Sequence, residues 1–153
     1  MTAAKIAKFC LPPKPQPGRF LLKKPYLPIK TNRMNIEEFR TYCLSKPGVE
    51  ETLPFGPDTL VFKVMGKMFA ATGLDETVFR VNLKCDPEWA QQLREAHPQI
   101  IPGWHMNKKH WNTVYFEEGL EEALLLKLID HSYRLVVARL PKRDQEVIRE
   151  QLE

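Results

Sequence analysis

The chain has 153 residues, 43% apolar and 27% charged, which is enough to bury one hydrophobic core and is ordinary for a water-borne domain. No apolar run approaches the roughly 20 residues that span a bilayer, and the basic start lacks the apolar stretch of a signal peptide. The formal charge of +4 averages two unlike segments.

Residues 1–33 carry eight Lys and Arg and no acid, whereas residues 34–153 carry 15 Lys and Arg against 19 Asp and Glu, a net of −4. The first segment also holds six of the 13 prolines: Pro12, Pro13, Pro15, Pro17, Pro25 and Pro28. Proline fixes φ and removes a backbone donor, so neither a helix nor a central strand runs through it. It reads as a disordered or polyproline-like basic arm. Met34-Asn35-Ile36 looks like a natural chain start, which makes the arm an inert extension from a misassigned start codon. An arm gripping phosphates or an acidic membrane surface is the other reading. The prolines argue against an amphipathic transit peptide.

The domain at 34–153 opens on a helix. Asn35 is placed to cap it, Glu37 and Glu38 favour its positive end, and Ile36, Phe39, Tyr42 and Cys43 recur on one face up to about Ser45. Lys46-Pro47-Gly48 stops it. "ETLPFGPDT" is a run of turn formers. Leu60–Met65 and Lys67–Thr72 then read as two strands of a hairpin about Gly66. In "TVFRVNLKC", Phe79, Val81, Leu83 and Cys85 share a face, with Arg80, Asn82 and Lys84 on the other. One face is expected on helices and the other toward water or a partner.

Asp86-Pro87-Glu88 starts a second helix with the apolar stripe Trp89, Ala90, Leu93 and Ala96, ended by His97-Pro98. "IIPGWHMNKKH" is a loop and "WNTVYF" a fourth strand. A long helical pattern follows Gly119, with Leu120, Leu124, Leu128, Tyr133, Leu135 and Val136 buried. A break is expected near Asp130-His131-Ser132, where Ser132 is able to cap a new helix. Pro141 separates a last helix, about Arg143 to Gln151. Strands joined by short turns pair antiparallel, so the order predicts an α+β domain with helices over one sheet face.

The three cysteines, Cys10, Cys43 and Cys85, are odd in number and form no CxxC pair. This argues against a disulfide framework or structural zinc and for reduced thiols in a cytoplasm. Cys43 and Cys85 lie on apolar faces, where a thiolate nucleophile is disfavoured. There is no Gly-rich phosphate loop and no GxSxG elbow. His105 and His110 do not stand at the i, i+4 spacing of helical metal ligands, and Pro102-Gly103 place them on a loop. Glu50, Glu51 and Asp58 read as solvated loop charges rather than an acid–base pair.

The polar sheet face is the stronger candidate. Arg80 and Lys84 project from the third strand, Lys63 and Lys67 sit on the hairpin, and Lys108, Lys109 and His110 precede the fourth strand. Spaced cations suit phosphates, Asn82, Asn107 and Asn112 add hydrogen-bonding groups, and Trp104 or Trp111 offers a stacking ring for an unpaired base. Against this, the domain's net negative charge gives no global field to attract DNA, so binding depends on a local patch. The plain alternative is that these lysines only keep one face hydrated.

"PGVEETLPFGPDTLVFKVMGKMFA", "RVNLKCDPEWAQQLREAHPQIIPGWHMNKKHWNTV" and "LIDHSYRLVVARLPK", at consistent spacing over residues 34–142, resemble the MmcQ/YjbR family of small bacterial proteins. The resemblance implies a two-layer, CyaY-like α+β fold with an antiparallel sheet, and a "double-wing" DNA-binding role with no catalytic residues and no cofactor. It places the wings on the hairpin around Lys63–Lys67 and on Arg80–Lys84, with "HMNKKHW" as the characteristic polar loop. Pro102-Gly103 make its turn, Trp104 and Trp111 anchor it by burial, and Lys108 and Lys109 face outward. The expectation is therefore a non-enzymatic, cytoplasmic, monomeric protein that contacts double-stranded DNA. Its nucleic-acid-binding residues are Lys63, Lys67, Arg80, Asn82, Lys84, Asn107, Lys108, Lys109 and His110. The alternatives are a protein-interaction adaptor, or a small-ligand protein or enzyme using a cleft near Phe55 and His105.

Overall fold

The computed structural model describes residues 33–153, so the basic arm, Arg33 apart, lies outside the described residues. Helix α1 (Ile36–Leu44) starts in a capping box: the Glu38 N–H donates to Asn35 Oδ1 at 2.9 Å and the Asn35 N–H donates to Glu38 Oε2 at 3.0 Å. Its Phe39 is fully buried and meets Phe62, Phe79 and Phe116 edge-on at centroid distances of 5.3, 5.7 and 5.4 Å. Such contacts add to the burial of the rings themselves.

The chain then makes strands β1 (Val49–Thr52), β2 (Thr59–Val64), β3 (Lys67–Gly73) and β4 (Arg80–Lys84), helix α2 (Pro87–Ala96), strands β5 (Ile100–Pro102) and β6 (Trp111–Tyr115), and helices α3 (Glu122–Val137) and α4 (Lys142–Glu150). The six strands form one antiparallel sheet in the order β1-β2-β3-β4-β6-β5. This is the expected two-layer α+β architecture, with two short edge strands added. Glu50 and Glu51 belong to β1 rather than to a loop, and the Glu51 carboxylate accepts two N–H bonds from Arg40 of α1 at 2.6 and 2.5 Å.

Register shows the two faces. Glu51, Phe62, Ala70, Leu83, Asn112 and Pro102 form one row across all six strands, and its members Phe62, Ala70 and Leu83 lie in the hydrophobic core with the helices. The neighbouring row, Thr52, Val61, Ala71, Asn82, Thr113 and Ile101, faces the other way. Phe79, Val81, Leu83 and Cys85 are buried on the helix side, as the alternation predicts, while Arg80, Asn82 and Lys84 are half-exposed on the open side.

Helix α3 runs unbroken through Asp130-His131-Ser132, correcting the expected break. Its buried stripe is Leu125, Leu128, Ile129, Ser132, Tyr133 and Val136. Ser132 caps nothing: its hydroxyl donates to the Phe69 carbonyl at 2.5 Å and accepts from the Lys84 N–H at 2.9 Å, splicing β3 to β4 where the β2–β3 register slips. Nearby, the Asp86 N–H donates to His131 Nε2 at 3.0 Å, so α3 also holds the first residue of the α2 cap. At the other end of α1, Tyr42 donates to Asp130 at 2.8 Å and Lys46 pairs with the same carboxylate oxygen. Among the described residues no helix is long and apolar enough to cross a membrane.

Candidate functional site

The four described helices contribute to one core on one side of the sheet, and among the described residues the loops around Phe55 and Trp104 lie over the other side. The main one is the loop 103–110. It leaves β5 through Gly103, where an added Cβ would lie 2.8 Å from Trp111 Cβ and 3.0 Å from the Trp111 carbonyl oxygen. That close approach needs a residue without a side chain. The loop then folds down over β6 and β4. The Trp104 N–H donates to Thr113 Oγ1 at 2.8 Å, Thr113 Oγ1 donates to Asn82 Oδ1 at 2.5 Å, and Asn82 Nδ2 donates to the Trp104 carbonyl at 3.4 Å. His105 completes the turn at φ 57°, a left-handed conformation that His tolerates better than most residues.

The result is a groove of about 360 Å³ on the open face. Its floor is β3, with Ala71, Thr72, Gly73 and Met68. One wall is the β1–β2 loop with Phe55, and the opposite wall is Trp104, His105 and Met106 over β4 and β6. Phe55 is 70% exposed and Trp104 51% exposed, so two aromatic rings stand half in water on either side. This corrects the expectation that both tryptophans anchor the loop by burial. Trp111 is buried and does so, whereas Trp104 is held through its backbone and its ring is left out.

Arg80 sits at one end of the groove. Its Nε and Nη2 donate to Glu76 at 2.7 and 2.8 Å, and its guanidinium lies 5.6 Å from the Trp104 ring centroid. The hydrogen bonds from Arg80 hold the Glu76 carboxyl below the usual carboxylate range. Arg80 is therefore already paired, and Asn82 is already engaged in fixing the loop. Asn107 closes a turn, its Oδ1 accepting from the Lys109 N–H at 2.9 Å. The His110 carbonyl accepts from the Cys85 N–H at 2.8 Å.

The lysines gather toward the other end of the sheet. Lys63 and Lys67 flank the β2–β3 turn, next to the end of β4 that carries Lys84. Lys84 lies opposite Trp111, which follows Lys108 and Lys109. None of these five is in an ion pair among the described residues, although Glu50 stands opposite Lys63 across β1 and β2. Lys108 Nζ reaches the Gly103 carbonyl at 3.4 Å, and Lys67 and Lys109 are exposed. Partial burial, with the nearby Arg139 charge, lowers the Lys84 pKa, so an arriving anion would relieve it.

Nucleophile and metal chemistry find little support here. Burial pushes the Cys85 thiol up to about 12 and the Cys43 thiol higher still. Among the described residues no group of three or more His, Cys, Asp or Glu is gathered. His105 lines the groove, His110 lies at the far end of the same loop, and His131 is engaged with Asp86.

Comparison with known proteins agrees with this architecture. The sequence profile of the YjbR family matches residues 44–135. The chain belongs to the YjbR family. The YbdF protein of Escherichia coli O157:H7 is 45% identical over 113 residues, covering 74% of this chain and 93% of that protein. YjbR of Escherichia coli K12 is 35% identical over 115 residues, covering 75% and 98%. Both are uncharacterized. Among solved structures, the Deinococcus radiodurans protein DR2400, with a DUF419 domain, superposes with a TM-score of 0.71 at 39% identity, covering 78% of this chain and 91% of that one. A Pseudomonas syringae protein superposes at 0.58 with 31% identity, covering 67% and 98%. This YjbR-family chain thus shares its fold with relatives whose names assign no activity.

Sequence reasoning found Arg80, Asn82 and the loop, and it pointed to a cleft between Phe55 and His105, which the fold does bring together. It missed Glu76, Met68 and Thr113. Glu76 was legible as an acid four residues before Arg80, and Thr113 as the residue between Trp111 and Tyr115 on the outward side of an alternating strand.

Proposed function

We propose that the domain is a non-enzymatic, cytoplasmic nucleic-acid-binding protein that uses the helix-free face of its sheet. One observation carries the reading. Register puts Lys63 and Lys84 on the sheet face that no described helix covers, with Lys67 across the hairpin turn and Lys108 and Lys109 just before β6 at the same end, and none of the five is in an ion pair among the described residues. Each phosphate neutralised by such a lysine releases counterions, giving affinity without sequence reading. Arg80 and Asn82 then serve to build the groove beside the lysines, and Asn107 and His110 to shape the loop.

The test is a titration of the full chain with labelled duplex DNA at several salt concentrations, alongside the Lys84→Ala and Lys108→Ala/Lys109→Ala variants. The basic arm contributes equally to all three proteins, so differences report on the sheet face. Each lost phosphate contact weakens binding and flattens the log–log salt slope by about one unit. Identical slopes in all three proteins would refute the reading.

The groove itself favours a second reading, a site for a small planar ligand. Its volume of about 360 Å³ falls at the lower end of ligand pockets, and its lining mixes aromatic and methionine side chains with a few polar groups.

A further inference from the structure

We propose that the groove between Phe55 and Trp104 receives a single unpaired nucleobase, so that the open face prefers nucleic acid with an unpaired base over fully paired duplex. This rests on the nucleic-acid reading above and names what that face selects. Three features of the site support it.

The first is charge. The polar pair in the groove, Glu76 and Arg80, is internally neutralised by two hydrogen bonds of 2.7 and 2.8 Å. A phosphate placed there would meet a carboxylate as well as a guanidinium. A neutral ring edge carrying both donors and acceptors meets a complementary edge instead: a carboxylate that accepts, a guanidinium that donates and the imidazole of His105.

The second is shape. The floor at Ala71 carries only a methyl, with the Glu76 side chain packed on Gly73 beside it, so a flat group can lie on Ala71 with its edge toward Glu76. The two walls end in the exposed rings of Phe55 and Trp104; Trp104 meets the His105 ring edge-on at 5.0 Å and the Arg80 guanidinium at 5.6 Å, and among the described residues no aromatic pair joins the two walls. Aromatic platforms of this kind stack bases of any sequence. Stacked bases inside a duplex have both faces covered and present only their edges, so the rings have nothing to stack on unless a base is unpaired.

The third is the position of the cations. Lys84 is two residues beyond Asn82 on the same face of β4, about 7 Å along the strand. Lys63 is paired directly with Met68, which lines the groove floor. A base seated in the groove therefore places its neighbouring phosphate toward Lys84 and Lys63. Groove and lysine cluster form one continuous site, with the neutral part of a nucleotide at one end and the anionic part at the other.

The experiment compares a labelled duplex with the same duplex carrying one extra, unpaired base at its centre, titrated with the full chain at fixed salt. Charge density is nearly equal in the two ligands, so the basic arm and the lysines do not favour either. The unpaired base is expected to tighten binding roughly 5- to 150-fold, the range found for one base stacked on an aromatic ring. Trp104→Ala and Phe55→Ala each erase most of that preference, whereas Lys84→Ala weakens binding of both ligands and keeps it. Both side chains are exposed and neither belongs to the hydrophobic core, so these variants fold. If both ligands bind equally tightly and lose affinity together in Lys84→Ala, the base site is overturned while the nucleic-acid reading stands. If neither ligand binds at low salt, the nucleic-acid reading falls and the base site falls with it.

Discussion

Ser132→Ala removes one oxygen from the centre of the domain. Ser132 is 0% exposed, and its hydroxyl is the only described partner that joins the Phe69 carbonyl to the Lys84 N–H. The alanine variant leaves the Phe69 carbonyl and the Lys84 N–H without the hydroxyl that bridges them. Each buried group left unpaired costs about 1–3 kcal/mol, so the pair costs about 2–6 kcal/mol. That is a large part of the roughly 5–15 kcal/mol that holds a domain of this size together. Urea unfolding followed by circular dichroism reads it as a lower midpoint with an unchanged slope. Hydrogen exchange adds a local readout, because the Lys84 amide should lose protection more than the amides of α1. A variant within about 0.5 kcal/mol of the parent, with the Lys84 amide still protected, would show that the strands close without the serine.

Gly103→Ala drives a methyl into Trp111 Cβ and its carbonyl oxygen at 2.8 and 3.0 Å, and backbone does not yield cheaply. A loss of about 1–3 kcal/mol is expected in thermal unfolding, with a change in Trp104 fluorescence as the loop shifts. His131 titrates below its ordinary value of 6.5 because burial disfavours its charged form, with Arg134 and Lys127 adding to this and Asp86 opposing it. The unfolded chain then binds the proton first as pH falls. The His131 contribution is full above pH 6.5 and is lost on acidification toward the folded value, where a charged ring no longer accepts the Asp86 N–H. The melting temperature of the native chain should therefore fall more steeply between pH 6.5 and 5 than that of His131→Gln, and parallel curves would contradict this. Asn112 is buried on the helix side with neither amide atom partnered among the described residues. Asn112→Leu, similar in shape, should raise stability by about 1 kcal/mol in urea, and a comparable loss would mean that the amide is bonded in solution.

The central elements were legible because their physics is local. Period-two alternation in "VFRVNLKC" placed Phe79, Val81, Leu83 and Cys85 inward, and Asn35, Asp86-Pro87 and Pro47-Gly48 marked helix ends by their own backbone chemistry. The edge strands were not legible. β1 contains Glu50, Glu51 and Thr52, and β5 is three residues ending in Pro102. Each is a strand only because a neighbour offers its hydrogen bonds, and edges tolerate charge and proline. In α3 the serine that suggested a cap lies within the core stripe, its hydroxyl satisfied by the sheet rather than by its own helix. That partner lies 63 residues away in sequence for Phe69 and 48 for Lys84, and no window of sequence contains it. The groove was half legible for the same reason. Arg80 and Asn82 announce an outward face, but their partners and Phe55 come from three other segments.

The loop over the open face is costly to hold as it is. It needs a residue without a side chain at Gly103, a left-handed His105, and a buried threonine and an asparagine committed to fixing its backbone. Such devices normally serve burial, and burying a tryptophan ring contributes more than almost any other side chain. Here they serve the opposite, since the fixed backbone holds the Trp104 ring half in water, across from the still more exposed Phe55. A chain under selection for stability alone would bury that ring as it buries Trp111. Local order combined with forgone burial is expected where a site must be ready before its ligand arrives. The arrangement of this loop therefore argues for binding at the groove more strongly than any of its charges does.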